Sequence, residues 1–206
     1  MYLYLIMFQL ILITPEQNHP DEVRIIEELC RKFNVSIHVR KPEYTVQDYR
    51  KYLLSFTSKQ VMASFVLHDH HELVHEFPVK GIHLKERDRL RQIDPTLQDK
   101  IVSTSLHNIP DIIGLEDMYS YVFFSPIFES ISKKSYGIDM SAEDLQRKVA
   151  EFKKRSSVAL IGLGGISEET IATVKKSGFD GAALLGAVWT SNDPIRAFEG
   201  IYLKAL

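Results

Sequence analysis

The residues able to do chemistry stand in short polar stretches that follow apolar runs. One run ends in Leu67-His68-Asp69-His70-His71, and the next, Gly81-Ile82-His83-Leu84, leads into Lys85-Glu86-Arg87-Asp88. Each supplies a carboxylate just past its run, Asp69 and Asp88. Mg²⁺ takes one or two carboxylates together with substrate phosphate oxygens and keeps its waters, so the pair is a candidate cation seat. The plainer alternative makes Asp69 a helix cap and leaves Asp88 solvated. In the run Ser36–Arg40, strand spacing puts His38 and Arg40 on one face, with Arg40 at the end. A guanidinium there suits a phosphate through paired donors; the alternative is a structural ion pair with a neighbouring carboxylate. Ser105, after Ser103-Thr104, offers a small hydroxyl for a phosphate or an amine, or else a cap for the segment from Asn108 onward. Ser130, Ser132 and Lys133 follow Ser125-Pro126-Ile127-Phe128 and read as a polyphosphate clamp on a movable loop, or as a solvated loop. Gly164-Gly165 and Gly186 end two further runs. Glycine there lets a phosphate approach backbone N–H groups at a helix start, or serves a tight turn only. His68, His70, His71 and His75 invite a zinc reading, because His71 and His75 share a helix face at i, i+4. No third ligand stands at a standard spacing, so a solvated histidine face is the expected account.

These groups have to be held by the elements that precede them. The apolar, often β-branched runs are strand candidates: Phe8–Ile13, Ser36–Arg40, Ala63–Leu67, Gly81–Leu84, Ile101–Ser105, Tyr121–Ser125, Val158–Gly162 and Gly181–Leu185. An amphipathic segment follows each: Pro20–Phe33, Thr45–Ser55, His71–Glu76, Glu86–Ile93, Asn108–Leu115, Ala142–Lys154, Glu168–Ser177 and Pro194–Lys204. Ser141 stands three residues before Asp144, Ser167 precedes Glu168-Glu169, Pro194 suits a first turn and Gly178 a helix stop. Strand–helix alternation implies parallel strands with crossover helices, and eight units are the number that closes a (β/α)8 TIM barrel over residues 1–206 as a single domain. The chain is short for that fold, so its loops must be lean, except for the long polar stretch Pro126–Ser141, a lid candidate. In such barrels chemistry gathers at the C-terminal ends of the strands, which is where every group above lies, with phosphate commonly bound after strands 7 and 8. The resulting expectation is a monophosphate cradle at Gly165 and Gly186 and a polyphosphate and metal zone at Arg40, Asp69, Asp88, Ser130, Ser132 and Lys133. That suits an enzyme joining or splitting phosphorylated small molecules.

Composition narrows the partners. With 25 Lys+Arg against 27 Asp+Glu the net charge is −2, too balanced to coat nucleic acid by bulk charge. The one cysteine, Cys30, allows no internal disulfide and fits a reducing, cytoplasmic setting. Met1–Thr14 is strongly apolar but lacks a basic start and small cleavage residues and is too short to span a bilayer. It reads as a first strand, with Met7 as the more natural start and no membrane partner. Tyr119 and Tyr121 would line a contact in a homo-oligomer if exposed.

In this order, the strand ends resemble the thiamine-phosphate synthase family and its sister thiazole tautomerases, roughly from Leu10 to Phe198. The stretches that carry the likeness are Ile37–Lys41, His68-Asp69, Gly81–Leu84 with Asp88, Ser105–His107, Ser125–Lys133, Gly164–Ile166 and Gly181–Val188. The resemblance implies a (β/α)8 barrel that couples hydroxymethylpyrimidine pyrophosphate to thiazole phosphate, releasing pyrophosphate with Mg²⁺ assistance. It implies Asp69 and Asp88 as Mg²⁺ ligands, and Arg40, Ser105, Ser130, Ser132 and Lys133 as pyrophosphate and lid contacts. His38 and His68 fall at substrate-binding positions, and Gly165, Leu185 and Gly186 at the thiazole-phosphate cradle. Where synthases have Gln-Leu-Arg-Glu-Lys this chain has His38-Val39-Arg40-Lys41-Pro42, so its lysine stands one position early and should point differently. His68 replaces an Asn, and Lys85-Glu86 replaces Gly-Gln before the second Asp. These departures leave two alternatives to the synthase reading: a thiazole-phosphate tautomerase, using His38, His68 or His107 as its proton-shuttling group because Pro126 stands at the usual histidine position, and a non-catalytic phosphate-binding relative.

Overall fold

The computed structural model describes residues 8–90, 92–108, 118–128 and 141–206. Eight strands, β1 (Gln9–Ile13), β2 (Val35–Val39), β3 (Phe65–Leu67), β4 (Gly81–Leu84), β5 (Ile101–Leu106), β6 (Tyr121–Phe124), β7 (Ala159–Leu163) and β8 (Gly181–Leu184), pair in parallel and in sequence order into a closed barrel. Each expected strand is present within a residue or two of its expected ends. Period-2 alternation divides their side chains. One set, with Ile37, Val39, Val102, Val122 and Leu160, faces outward into the main core beneath the helices. The other, with Ile11, Ile13, Tyr121, Phe123, Ile161 and Ala183, fills the barrel interior. Closure is tight at the N-terminal rim: a Cβ on Gly81 would lie 1.9 Å from the Ile101 carbonyl oxygen, so only glycine fits there.

The helices are α1 (Glu22–Lys32), α2 (Val46–Leu54), α3 (Lys59–Met62), α4 (Ala142–Arg155), α5 (Ile171–Lys176), α6 (Gly186–Trp189) and α7 (Pro194–Ala205). Ser141 caps α4 by accepting from the Asp144 N–H, Pro194 opens α7, and Gly178 follows α5 with φ at +92°. Three expectations shift. The segment after β3 is a 3-10 helix, His71–His75, and of the helix expected at Glu86–Ile93 the described residues form only the 3-10 turn Glu86–Asp88. Helix α5 starts at Ile171 rather than Glu168, because Ser167 accepts from the Glu169 N–H in a local turn instead of capping a helix. The expected helix at Asn108–Leu115 lies, but for Asn108, outside the described residues. Tyr119 and Tyr121 are buried, at 5% and 3% exposure, and so cannot form the surface contact their aromatic character suggested. No helix among the described residues is long and apolar enough to cross a membrane.

Two interactions fasten the first strands. The Trp189 indole N–H donates to the Ile13 carbonyl at 2.7 Å, tying α6, just after β8, to β1. Lys41, fully buried past β2, donates to Glu22 Oε2 and to the Pro15 carbonyl, each at 2.8 Å, and to Asn18 Oδ1 at 3.2 Å. Tyr52 donates to the other Glu22 oxygen at 2.6 Å. Burial pulls the Lys41 ammonium below its ordinary pKa, and Glu22 opposes that pull. Removing one partner of such a pair strands a buried charge. Lys41→Met should therefore destabilise the fold by about 3–5 kcal/mol, and adding Glu22→Gln should recover part of the loss; urea unfolding of the three variants measures both.

Candidate functional site

The closed register determines which side chains look inward. His83 pairs alongside Ser103, and Ser103 alongside Tyr121. In this layer the interior is polar. His83 hydrogen-bonds Ser103 Oγ through Nδ1 at 2.9 Å and Ser105 Oγ through Nε2 at 3.0 Å. His38 meets the Tyr121 hydroxyl through Nε2 at 2.6 Å and His68 Nε2 through Nδ1 at 2.8 Å. The His68 and His83 rings stack, with centroids 4.3 Å apart. A neutral imidazole is one donor and one acceptor, so a Tyr121 hydroxyl donating to His38 sets His38 to donate to His68. Burial holds all three rings neutral: it carries His38 and His68 well below the usual histidine pKa and His83 down to about 3.

Above this layer, at the C-terminal rim, the sequence-singled acids come together. Asp69 and Asp88 line one cavity of about 310 Å³, shared with Pro42, Tyr44, His68 and Lys85 among others. Asp69 is mostly buried, its side chain 14% exposed, and its Oδ1 accepts from Lys85 Nζ at 2.9 Å. Its Oδ2 is buried without a hydrogen-bond partner among the described residues. Asp69 is not a helix cap: the cap position of the following 3-10 turn, His71–His75, is His70, in the left-handed region and without a side-chain cap bond. Asp88 is 44% exposed and lies 3.7 Å from Arg87. Two carboxylates, one with an unpaired oxygen, in a cavity with room for water, match the donor set of a hard divalent cation.

Arg40 reaches the rim but ion-pairs with Glu16, the structural alternative that its position allowed. Lys41 turns away into the buried pair with Glu22, as its early position suggested. Ser105 faces inward to His83; the segment it was weighed to cap lies, but for Asn108, outside the described residues. His107 is held between the Ser125 carbonyl, 2.7 Å from Nδ1, and Glu86, 3.4 Å from Nε2. Gly165 and Gly186 follow the adjacent strands β7 and β8. Gly164 and Gly165 have φ of +103° and +64°, and a Cβ on Gly164 would stand 3.1 Å from Pro126 Cα. Gly186 and Ala187 open α6, where first-turn N–H groups lack intrahelical acceptors, and Leu185 precedes them. Ser130, Ser132 and Lys133 lie outside the described residues.

The histidine expectation needs correcting. His75 is exposed, but His71 is half-buried and its Nε2 has no partner among the described residues. The histidines whose ring nitrogens cluster are His38, His68 and His83, within 4.8 Å of one another. His83 and Tyr121 were missed as site residues. The available signal was a histidine and a tyrosine at the inward positions of otherwise apolar strands.

A closed parallel barrel whose polar groups gather at the C-terminal rim defines a (β/α)8 barrel with its site in the strand-end loops. The thiamine monophosphate synthase family model matches residues 10–188, and the chain belongs to that family. It is 26% identical over 149 residues to the thiamine-phosphate synthase of Bacillus licheniformis, covering 71% of this chain and 65% of that one. It is 29% identical over 133 residues to that of Bacillus cereus, covering 63% and 58%. The matched stretch is thus less than two thirds of either relative. The crystal structure of a thiamine phosphate pyrophosphorylase from Bacteroides thetaiotaomicron superposes with a TM-score of 0.76 at 28% identity, over 96% of this chain and 98% of that one.

Two outcomes test the polar interior. Tyr121→Phe removes the partner of a buried imidazole and should lower unfolding free energy by about 1–3 kcal/mol in chemical denaturation. The folded pKa values of His38, His68 and His83 lie below the unfolded value near 6.5, so the unfolded chain binds more protons between them. Stability is therefore full above about pH 6.5 and falls as pH drops toward 3, and His83→Gln should flatten that slope by up to about 1.4 kcal/mol per pH unit.

Proposed function

We propose that the protein is a thiamine-phosphate synthase, a transferase that joins hydroxymethylpyrimidine pyrophosphate to thiazole phosphate and releases pyrophosphate. The observation that carries this is the convergence of Asp69 and Asp88 on one rim cavity, with an Asp69 oxygen left unpaired, in a chain of this family. In the reaction the methylene C–O bond breaks, its electron pair leaves with pyrophosphate, and the thiazole ring nitrogen supplies the pair for the new C–N bond. Asp69 and Asp88 would hold Mg²⁺, which when bound offsets the charge of the leaving pyrophosphate. Arg40 and Lys85, both at the rim, add positive charge for the same group, and Ser130, Ser132 and Lys133 are proposed to close over it. The N–H groups around Gly165, Leu185 and Gly186 are proposed to seat the thiazole phosphate. His68 and Ser105 are proposed to form the pyrimidine-side wall, with the buried His38 holding His68 from behind. Neutral imidazoles packed over Phe123 keep water from beneath a carbocation without repelling it. A biosynthetic role of this kind places the protein in the cytoplasm.

Metal-replete protein given both substrates should release pyrophosphate and form a product of thiamine-phosphate mass. Chelation should abolish the release, and Asp69→Asn should slow it at least about 100-fold. No pyrophosphate under conditions where an authentic synthase turns over would overturn the reading. The pairing of His107 with Glu86 favours a second reading, thiazole-phosphate tautomerisation. It expects chelator-resistant exchange of the substrate's ring proton in deuterated buffer, lost in His107→Asn.

A further inference from the structure

Lys85 lines the same cavity as the two carboxylates and opens the turn that carries Asp88. Its ammonium lies 2.9 Å from Asp69 Oδ1, while its backbone carbonyl accepts from the Asp88 N–H at 2.8 Å. Strand alternation explains the placement: Lys85 continues the inward face of β4 two residues past His83 and emerges at the rim. The second carboxylate has a cation too, since Arg87 stands 3.7 Å from Asp88. Two acids and two bases therefore line one cavity, and their charges cancel. The pairs are unequal. Asp69 is 14% exposed and its pair is close; Asp88 and Arg87 are 44% and 79% exposed and farther apart, so solvent screens them more strongly.

A divalent cation that takes both Asp69 oxygens, or comes close to Oδ1, must displace the Lys85 ammonium. The displaced charge then needs an anion. We infer that Lys85 is a displaceable counter-ion of Asp69, which couples entry of the divalent cation to arrival of a phosphate-bearing substrate. Without substrate the ammonium holds the carboxylate and the cation binds weakly. With a polyphosphate present the ammonium moves to the anion and Asp69 is freed. Linkage makes the coupling mutual: each ligand raises affinity for the other. The inference rests on the carboxylate seat proposed above and adds a residue that governs its loading.

The test is Mn²⁺ binding to substrate-free protein, read as free Mn²⁺ by electron paramagnetic resonance, for wild type, Lys85→Met, Lys85→Gln and Asp69→Asn. Removing the ammonium should tighten Mn²⁺ binding about fivefold to tenfold in both Lys85 variants. The same variants should bind inorganic pyrophosphate in chelator several-fold more weakly than wild type by calorimetry. Folded Lys85 variants with Mn²⁺ affinity within twofold of wild type would overturn the inference, provided Asp69→Asn still weakens binding; the seat would then stand without the counter-ion. Mn²⁺ binding unaffected by Asp69→Asn in either background would remove the seat itself, and the inference with it.

Discussion

Three uncharged imidazoles inside a closed barrel set the terms for the rest of this site. Closure leaves alternate side chains of every strand no exit to solvent, so a polar residue there has to find its partner in the ring itself. His38 uses Tyr121 and His68, and His83 uses Ser103 and Ser105. Because every strand contributes at a fixed level, one register slip would turn His83 or Tyr121 outward and leave its partners unpaired. The polar layer therefore specifies the pairing of β2 through β6, and through His68 it reaches the rim cavity.

The exit of β2 shows how one position changes a role. Arg40 and Lys41 are neighbours of like charge, yet alternation sends them to opposite sides of the barrel wall. Arg40 remains at the mouth beside Glu16, while Lys41 is enclosed with Glu22, Asn18 and Tyr52. A lysine one position later would have continued the mouth. Here the positive charge binds the first loop to α1, while Arg40, Lys85 and Arg87 stand at the rim.

Much of this was legible in the chain. Apolar runs of strand length at regular spacing marked all eight strands, because in a parallel sheet buried on both faces most residues of a run are apolar or small. Asp69 stood out as the first carboxylate after β3, and Asp88 as a carboxylate four residues past the end of β4, behind Glu86. The helices between β3 and β5 were not, since amphipathic spacing in His71–Glu76 and Glu86–Ile93 does not reveal that so few residues make only a 3-10 turn. Nor was the Lys85–Asp69 pair, because cross-strand neighbours at a rim depend on stagger that no single strand encodes. His83 was hidden by its apolar neighbours, and Lys41's burial by a partner 19 residues away.

The bond from Trp189 to the Ile13 carbonyl joins positions 176 residues apart. Trp189 is also the sole tryptophan. The chain thus contains a built-in optical reporter at the seam where its first and last strands meet. Emission from that indole follows ring completion, separately from the helical signal that reports local order.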